Sequence, residues 1–304
     1  MSDTPITPDA GGPAEAIAST SLTYGQLVRR RFYRNKYGMA GLIMCILIIL
    51  TAIFAGFVAP YSTDNSDRSA LYSPPQWIRI FDENGLTRPH VLGFSEGYDP
   101  VTFETIFEPN PEDRKDLALF VEGEEWTLLG MTFDTHLFGT TDGSYFHLLG
   151  TDNLGRDVFS RMIWGTRITL LMGFTVMAAA CVIGTAMGVS SGYFGGLYDL
   201  VVQRIVEFFK AFPDLPLYLA LVSLLPRRAD PVFVFIMFAA ILVLLRWADL
   251  CRELRGKVVS MRSLEYVRAA EAVGAGNGRI LFIHLLPNVS SHIIVWATYF
   301  IIAR

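Results

Sequence analysis

The chain has 304 residues, 52% of them hydrophobic, with a formal net charge of -4 and a mean hydropathy of +0.38. So apolar a composition excludes an ordinary soluble domain and points to a polytopic membrane protein. Three cysteines, two in apolar runs (Cys45, Cys181) and one in a basic segment (Cys251), exclude a disulfide framework.

Residues 1–20 are rich in Pro, Gly, Ala and Ser without periodicity, which predicts a disordered cytoplasmic tail over 1–23. Residues 24–36 form an amphipathic basic segment, suited to a helix lying on anionic lipid. A bilayer core of ~30 Å needs ~20 helical residues to cross it. The first uncharged run of that length, 37–60, is the first predicted transmembrane helix; it is too long and too late in the chain for a cleaved signal peptide. Residues 61–161 follow as an insertion and approach to the second helix, and 162–304 as the membrane core.

Four more candidate spans lie in that core: Ile168 to Tyr198, Leu197 to Pro226, Pro231 to Leu245 (extended by Trp247 and Ala248 if Arg246 faces protein or snorkels), and Leu285 to Ala303. The expected fold class is therefore an all-α polytopic membrane protein with five visible transmembrane helices. Arg29, Arg30, Arg31, Arg34 and Lys36 precede the first span, so the N-terminus is expected to be cytoplasmic. Counting forward places the acidic 61–161 stretch outside. The basic stretch between the fourth and fifth spans falls inside as a loop over 249–288, with Arg252, Arg255, Lys257, Arg262, Arg268 and Arg279.

The external stretch is long for a connection, and its apolar runs (Trp77 to Phe81, Leu117 to Val121, Trp126 to Phe133), separated by turn residues, predict a small strand-containing periplasmic lobe between the first and second helices. Gly184 and Gly188 form a small-xxx-small pair that would admit another helix, while Gly192, Gly195 and Gly196 are expected to mark the turn ending the second span.

In the inner loop, Ser263 is placed to cap a short helix that carries Glu265 in its first turn and stops at Gly274. Tyr266, Ala269, Ala270 and Val273 share one face by spacing, and Glu265, Arg268 and Glu271 share a charged one. So short a helix needs a partner, and its small-residue face suits a groove on another protein. A plain interhelical loop accounts for the residues equally well on this reasoning alone.

Other chemistry finds little support. No Gly-x-x-x-x-Gly-Lys-Ser/Thr run occurs, so no ATP hydrolysis is expected of this chain. Asp152, Arg156 and Asp157 read as caps and pairs at the outer end of the second span, not as a catalytic or metal set. His90, His136 and His147 lack the spacing of a metal site, and no metal is expected. Arg204, Glu207 and Lys210 make the third candidate span amphipathic and suggest an elbow at the cytoplasmic entrance.

The run Glu265-Tyr266-Val267-Arg268-Ala269-Ala270-Glu271-Ala272-Val273-Gly274, followed by Phe282-Ile283-His284-Leu285-Leu286-Pro287-Asn288, resembles the EAA signature of ABC importer permeases, with Arg268 standing where the first acidic residue is usual. His147 to Arg161, which contains Gly150-Thr151-Asp152-Asn153-Leu154-Gly155-Arg156-Asp157, is similar to the stretch ahead of the second span in C-type subunits of the dipeptide, oligopeptide and nickel permeases. The resemblance covers 147–304 strongly and 25–60 weakly. It implies a subunit of an ATP-driven peptide importer in the bacterial inner membrane, working by alternating access. Glu265, Tyr266, Arg268, Ala269, Ala270, Glu271, Gly274, His284 and Pro287 would couple it to the ATPase. The implied partners are two ATPase subunits that hold the ATP and magnesium, a second, non-identical homologous permease, a periplasmic substrate-binding protein and membrane lipid. No cofactor is expected on this chain and no nucleic acid as a partner. Six spans are usual in the family, the sixth following Arg304. The competing class is a membrane-anchored scaffold or sensor in which the acidic lobe binds a ligand.

Overall fold

A computed structural model describes residues 30, 32–82, 85–98, 105–226 and 228–302. The predicted tail, most of the basic segment at 24–36 and the chain end at Arg304 lie outside the described residues. The chain divides into two units, Met1–Thr51 and Ala52–Arg304, each taken on its own here.

The first unit holds most of helix α1 (Lys36–Ile53), in which no charge follows Lys36 and nearly every side chain is exposed. An apolar helix with no buried stripe is one that faces lipid. The predicted span to Pro60 is interrupted at Phe54, after which a single turn, α2 (Ala55–Val58), begins the second unit's packing.

A four-stranded antiparallel sheet follows, β1 (Arg79–Asp82), β2 (Gly85–Tyr98), β3 (Thr105–Leu128) and β4 (Met131–Thr140), in that spatial order. The long strand β3 pairs with β2 along its first half and with β4 along its second. The lobe is tied to α2 by Trp126, which fills the space beside Gly56, and by buried His136, whose ring nitrogens lie 2.7 Å from the Ala59 carbonyl and 2.9 Å from that of Glu124.

Helix α3 (Val158–Phe194) and helix α6 (Pro231–Met261) form the spine of the second unit. Asp157 caps α3 by accepting from Ser160 N, and Asp230 caps α6 with Pro231 at its first position. The contact is a glycine stripe: a Cβ on Gly184, Gly188 or Gly192 would lie 2.8, 2.6 or 2.8 Å from the carbonyl oxygens of Trp247, Cys251 and Arg255. Between apolar helices in lipid, close backbone approach supplies the van der Waals attraction that a hydrophobic effect cannot. Gly192 therefore belongs to the helix contact and not to the turn predicted for it. The turn is made by Gly195 and Gly196, both at positive φ (64° and 60°).

The third predicted span is not one helix. It divides into α4 (Gly196–Lys210) and α5 (Asp214–Ser223), because Pro213 has no N–H to continue α4 and its extended conformation starts a new helix. At ten residues α5 is ~15 Å long, half a bilayer core. Among the described residues four helices, not five, are long and apolar enough to cross a membrane: Lys36–Ile53, Val158–Phe194, Pro231–Met261 and Asn277–Phe300. Helix α6 also runs to Met261, well beyond its predicted apolar part, so the first third of the predicted 249–288 loop continues the helix.

The remaining elements are α7 (Glu265–Ala272), a turn α8 (Asn277–Arg279), a π-helical segment (Ile280–Leu285) and α9 (Leu286–Ile302).

Candidate coupling site

Helix α7 has eight residues, too few to be stable alone, so its position depends on what it buries. Two of its side chains are buried, Val267 and Ala270, one turn apart. Val267 joins Leu254 and Val258 of α6, Ile280 and Leu285 of the π-helical segment and Val289 of α9 in one core cluster. The seat of α7 is therefore built from the C-terminal half of α6 and the returning segment. Of the face read by spacing, only Ala270 is buried. Val267 is the anchor, while Val273 is 85% exposed and Tyr266 reaches sideways, its hydroxyl accepting from Asn288 Nδ2 at 3.3 Å.

The predicted cap also differs. Leu264 occupies the cap position with no side-chain hydrogen bond, and Ser263 Oγ donates instead to the Ser260 carbonyl at 3.0 Å. The C-terminal end is as the glycine suggests: Gly274 sits at φ +84°, Gly274 N donates to Glu271 O (2.9 Å) and Ala275 N to Ala270 O (3.0 Å). These paired bonds turn the chain back and leave the helix's last carbonyls satisfied.

The face turned away from the core carries Glu265, Arg268, Ala269, Glu271, Ala272 and Val273, all exposed. Exposed Phe282 (70%) lies on the returning segment beyond it. Arg268 and Glu271 also border a polar cavity of about 480 Å³, shared with Tyr193, Arg262 and Asn277. Tyr193 OH donates to Asn277 Oδ1 at 3.0 Å, tying the end of α3 to the turn after α7. His284 is half-buried in the π-helical segment, where its carbonyl accepts from Asn288 Nδ2 at 2.7 Å, and Pro287 is exposed in the first turn of α9. Val267, Tyr193, Asn277 and Asn288 were not among the coupling residues expected from the sequence; only the i,i+3 spacing of Val267 and Ala270 hinted at the first.

Behind this site, Asp199 of α4 pairs with Arg255 of α6 (Nε to Oδ1, 3.1 Å) and accepts from Ser191 of α3. The pair clamps three helices at the base of α7. Lys210 pairs with Asp249 at 2.5 Å, and Arg204 with Glu207 at 2.7 Å. Arg246 faces protein: its Nε donates to Tyr218 OH at 2.8 Å, with Asp214 3.3 Å away.

The second predicted group lies at the opposite end of α3. Gly150 (φ +75°) and Gly155 (φ +72°) admit no Cβ, which would strike the carbonyls of Ser73 and Asp67. Thr151 N donates to Ser73 O (3.0 Å) and Asp67 N to Gly155 O (2.8 Å), knotting residues 67–73 to the loop before α3. Asp152 accepts from Arg156 Nε at 2.9 Å and from Arg161. Burial alone would raise its carboxyl, but the hydrogen bonds and charge of Arg156 outweigh that and hold it well below the usual carboxylate range. Asp157 caps α3 with one oxygen while the other lies 3.1 Å from His147 Nδ1. His90 and His136 stand apart from it, and no cluster of three or more His, Cys, Asp or Glu fit for a metal ion occurs among the described residues.

The comparisons with known proteins agree with a membrane component of this architecture. The chain matches the family of binding-protein-dependent transport system inner membrane components over residues 184–303, which include α7 and its seat, and the N-terminal TM domain of oligopeptide transport permease C over residues 23–75. These matches and the curated relatives support its reading as a permease of the ABC peptide importer type. Among curated relatives it is 27% identical to the dipeptide transport system permease protein DppC of Haemophilus influenzae, over 88% of this chain and 68% of that protein. It is 38% identical to DppC of Alkalihalophilus pseudofirmus over 50% of this chain and 48% of the relative. It is 41% identical to the peptidoglycan transport system permease protein YejE of Agrobacterium fabrum over 46% of this chain and 35% of the relative. The matched segments of the last two span less than half of those proteins' lengths. Residues 76–183, with the strand lobe and the Gly150–Asp157 loop, lie between the two family matches.

Proposed function

We propose that this chain is one permease subunit of an ATP-driven importer that moves di- or oligopeptides across the bacterial inner membrane by alternating access. The observation that carries the reading is α7: a short helix held from behind by Val267 and Ala270 that presents a charged and small-residue face away from the protein, within the segment matched by the family. The peptide substrate comes from the names of the relatives.

In this reading two separate ATPase subunits hold ATP and magnesium, and α7 seats on one of them. Closure of the ATPases pushes on α7, and the cluster around Val267 passes the displacement to α6 and α9 as a rigid body. An apolar groove of about 1080 Å³ between α3 and α6, lined from Ile168 to Val176 and from Pro231 to Leu242, becomes half of the path when a second, non-identical permease closes it. A soluble binding protein delivers the peptide on the side of the strand lobe, and the N-terminus is cytoplasmic.

The test is co-purification and transport with Gly274→Val. Gly274 has open space around it, so the substitution acts through its φ of +84° and displaces the end of α7 without a clash. The wild-type complex is expected to hold two ATPase chains. The variant should retain basal ATP hydrolysis and lose peptide-dependent uptake. Unchanged ATPase binding and uptake together would sink the coupling role of α7.

A further inference from the structure

We propose that the tip of the β3–β4 hairpin inserts into lipid at the membrane surface that α3 enters at Val158, anchoring the strand lobe to the bilayer. The tip is the uncharged run Trp126-Thr127-Leu128-Leu129-Gly130-Met131-Thr132-Phe133, bounded by Glu125 and Asp134.

Its direction follows from three levels of contact. The chain from α2 to Tyr61 runs antiparallel to the start of α3: Ala55 and Ala59 pack with Ile163, and Tyr61 N donates to Ser160 Oγ at 3.3 Å. Along β4, Phe138 meets Phe159 (ring centroids 5.6 Å apart), His136 meets Ala59, and Phe133 stacks on Trp126, which lies against Gly56. Passing from Phe138 back to Phe133 therefore follows α3 from its first residues deeper into the membrane. Leu129 lies three residues beyond Trp126, roughly 10 Å further at the rise of a strand, or about seven residues along a helix. That is the level of the uncharged part of α3, which begins at Ile168 after Arg167. Trp164, which donates to the Tyr61 carbonyl at 3.1 Å and carries Arg167 over its ring, marks the interface just above.

The conformation of the tip supports the same occupant. Leu129 (φ 51°) and Gly130 (φ 85°) form a two-residue turn with both residues left-handed, closed by the Leu128–Met131 pair. Such turns in water favour Asn-Gly or Asp-Gly, because a leucine at positive φ is sterically strained and gains nothing from solvent. Here the strained leucine is 93% exposed, and Met131 beside it is 57% exposed. Lipid gives that side chain an apolar surrounding, and the ladder pairs the inward-facing backbone groups of the two flanking strands. The opposite end of β3 carries exposed Glu108, Glu112 and Asp113.

The inference rests on the membrane-spanning reading of α3 and not on transport, so the coupling experiment can fail without touching it. The test uses the full chain with Leu129→Cys and with Cys45, Cys181 and Cys251 replaced by alanine. The protein is labelled with an environment-sensitive fluorophore and reconstituted in phosphatidylcholine–phosphatidylglycerol nanodiscs, with Glu108→Cys as the comparison. A nitroxide on the lipid chain should quench the label at 129 several-fold more than aqueous iodide does, and the order should reverse at 108. Quenching of 129 mainly by iodide, or by neither agent, would overturn the proposal, the second outcome meaning that protein covers the tip. If the cysteine-free chain does not fold, Leu129→Trp in the native chain, read as the added fluorescence quenched by brominated lipid, decides the same question.

Discussion

Gly188 of α3 faces Cys251 of α6 so closely that a Cβ on the glycine would lie 2.6 Å from the cysteine's carbonyl oxygen and 3.0 Å from its Cα. The obstacle is backbone, which cannot rotate away as a side chain would. Gly188→Val should force the two helices apart and cost about 1–3 kcal/mol by overpacking. Thermal unfolding of the detergent-solubilised protein measures it, with Gly165→Ala, at a site with open space, expected to change the midpoint little.

Val267→Ala should loosen α7 without unfolding the chain. Removing two methyl groups from a fully buried site costs about 1–3 kcal/mol, and the loss falls on a helix with one other buried side chain. Amide hydrogen exchange should accelerate across residues 265–273 and stay unchanged along α3. Equal acceleration in both would mean that α7 is not a separately anchored element.

Asp199→Asn leaves Arg255 partly buried without its counter-charge, at an expected cost of about 1.5–3 kcal/mol. The double variant with Arg255→Met should recover part of that loss. A double variant as unstable as the sum of the two single ones would show that the residues do not act as a pair.

At the other end of α3, the carboxyl of Asp152 titrates below the usual carboxylate range when folded. A depressed folded pKa contributes stability that is present above the unfolded value of about 3.9 and is lost as the pH falls through the folded value. Wild-type protein should therefore exceed Asp152→Asn in stability near neutral pH, with the gap closing below about pH 4. Protease cleavage of the 61–73 segment as a function of pH reads this directly, and a gap independent of pH would refute the assignment.

Much of this protein is legible in the sequence because membrane insertion is a local property. A run of uncharged residues either can or cannot cross a bilayer core, and that criterion marked 37–60, Ile168 to Tyr198, Pro231 to Leu245 and Leu285 to Ala303, each of which overlaps a helix long and apolar enough to span. The positive φ at Gly274 and at Gly195 is likewise local, since only glycine takes that conformation freely. The alternating turn and apolar runs marked the strand lobe for the same reason.

What only the tertiary structure decided depends on residues far apart in sequence. Hydropathy could not tell that Leu197 to Pro226 breaks into two short helices, because a proline's effect depends on what receives the new helix. Spacing gave α7 an apolar and a charged face, and neither contained Val267. Val267 is buried because Leu254, Ile280 and Leu285 form its seat, a cluster that no window of eight residues contains. Gly192 passed for a turn residue until Arg255 and Val258 were found against it. Local chemistry therefore determined which segments enter the membrane and where the chain reverses. Long-range packing decided which side of each helix is inside, and thus which face of α7 is left free.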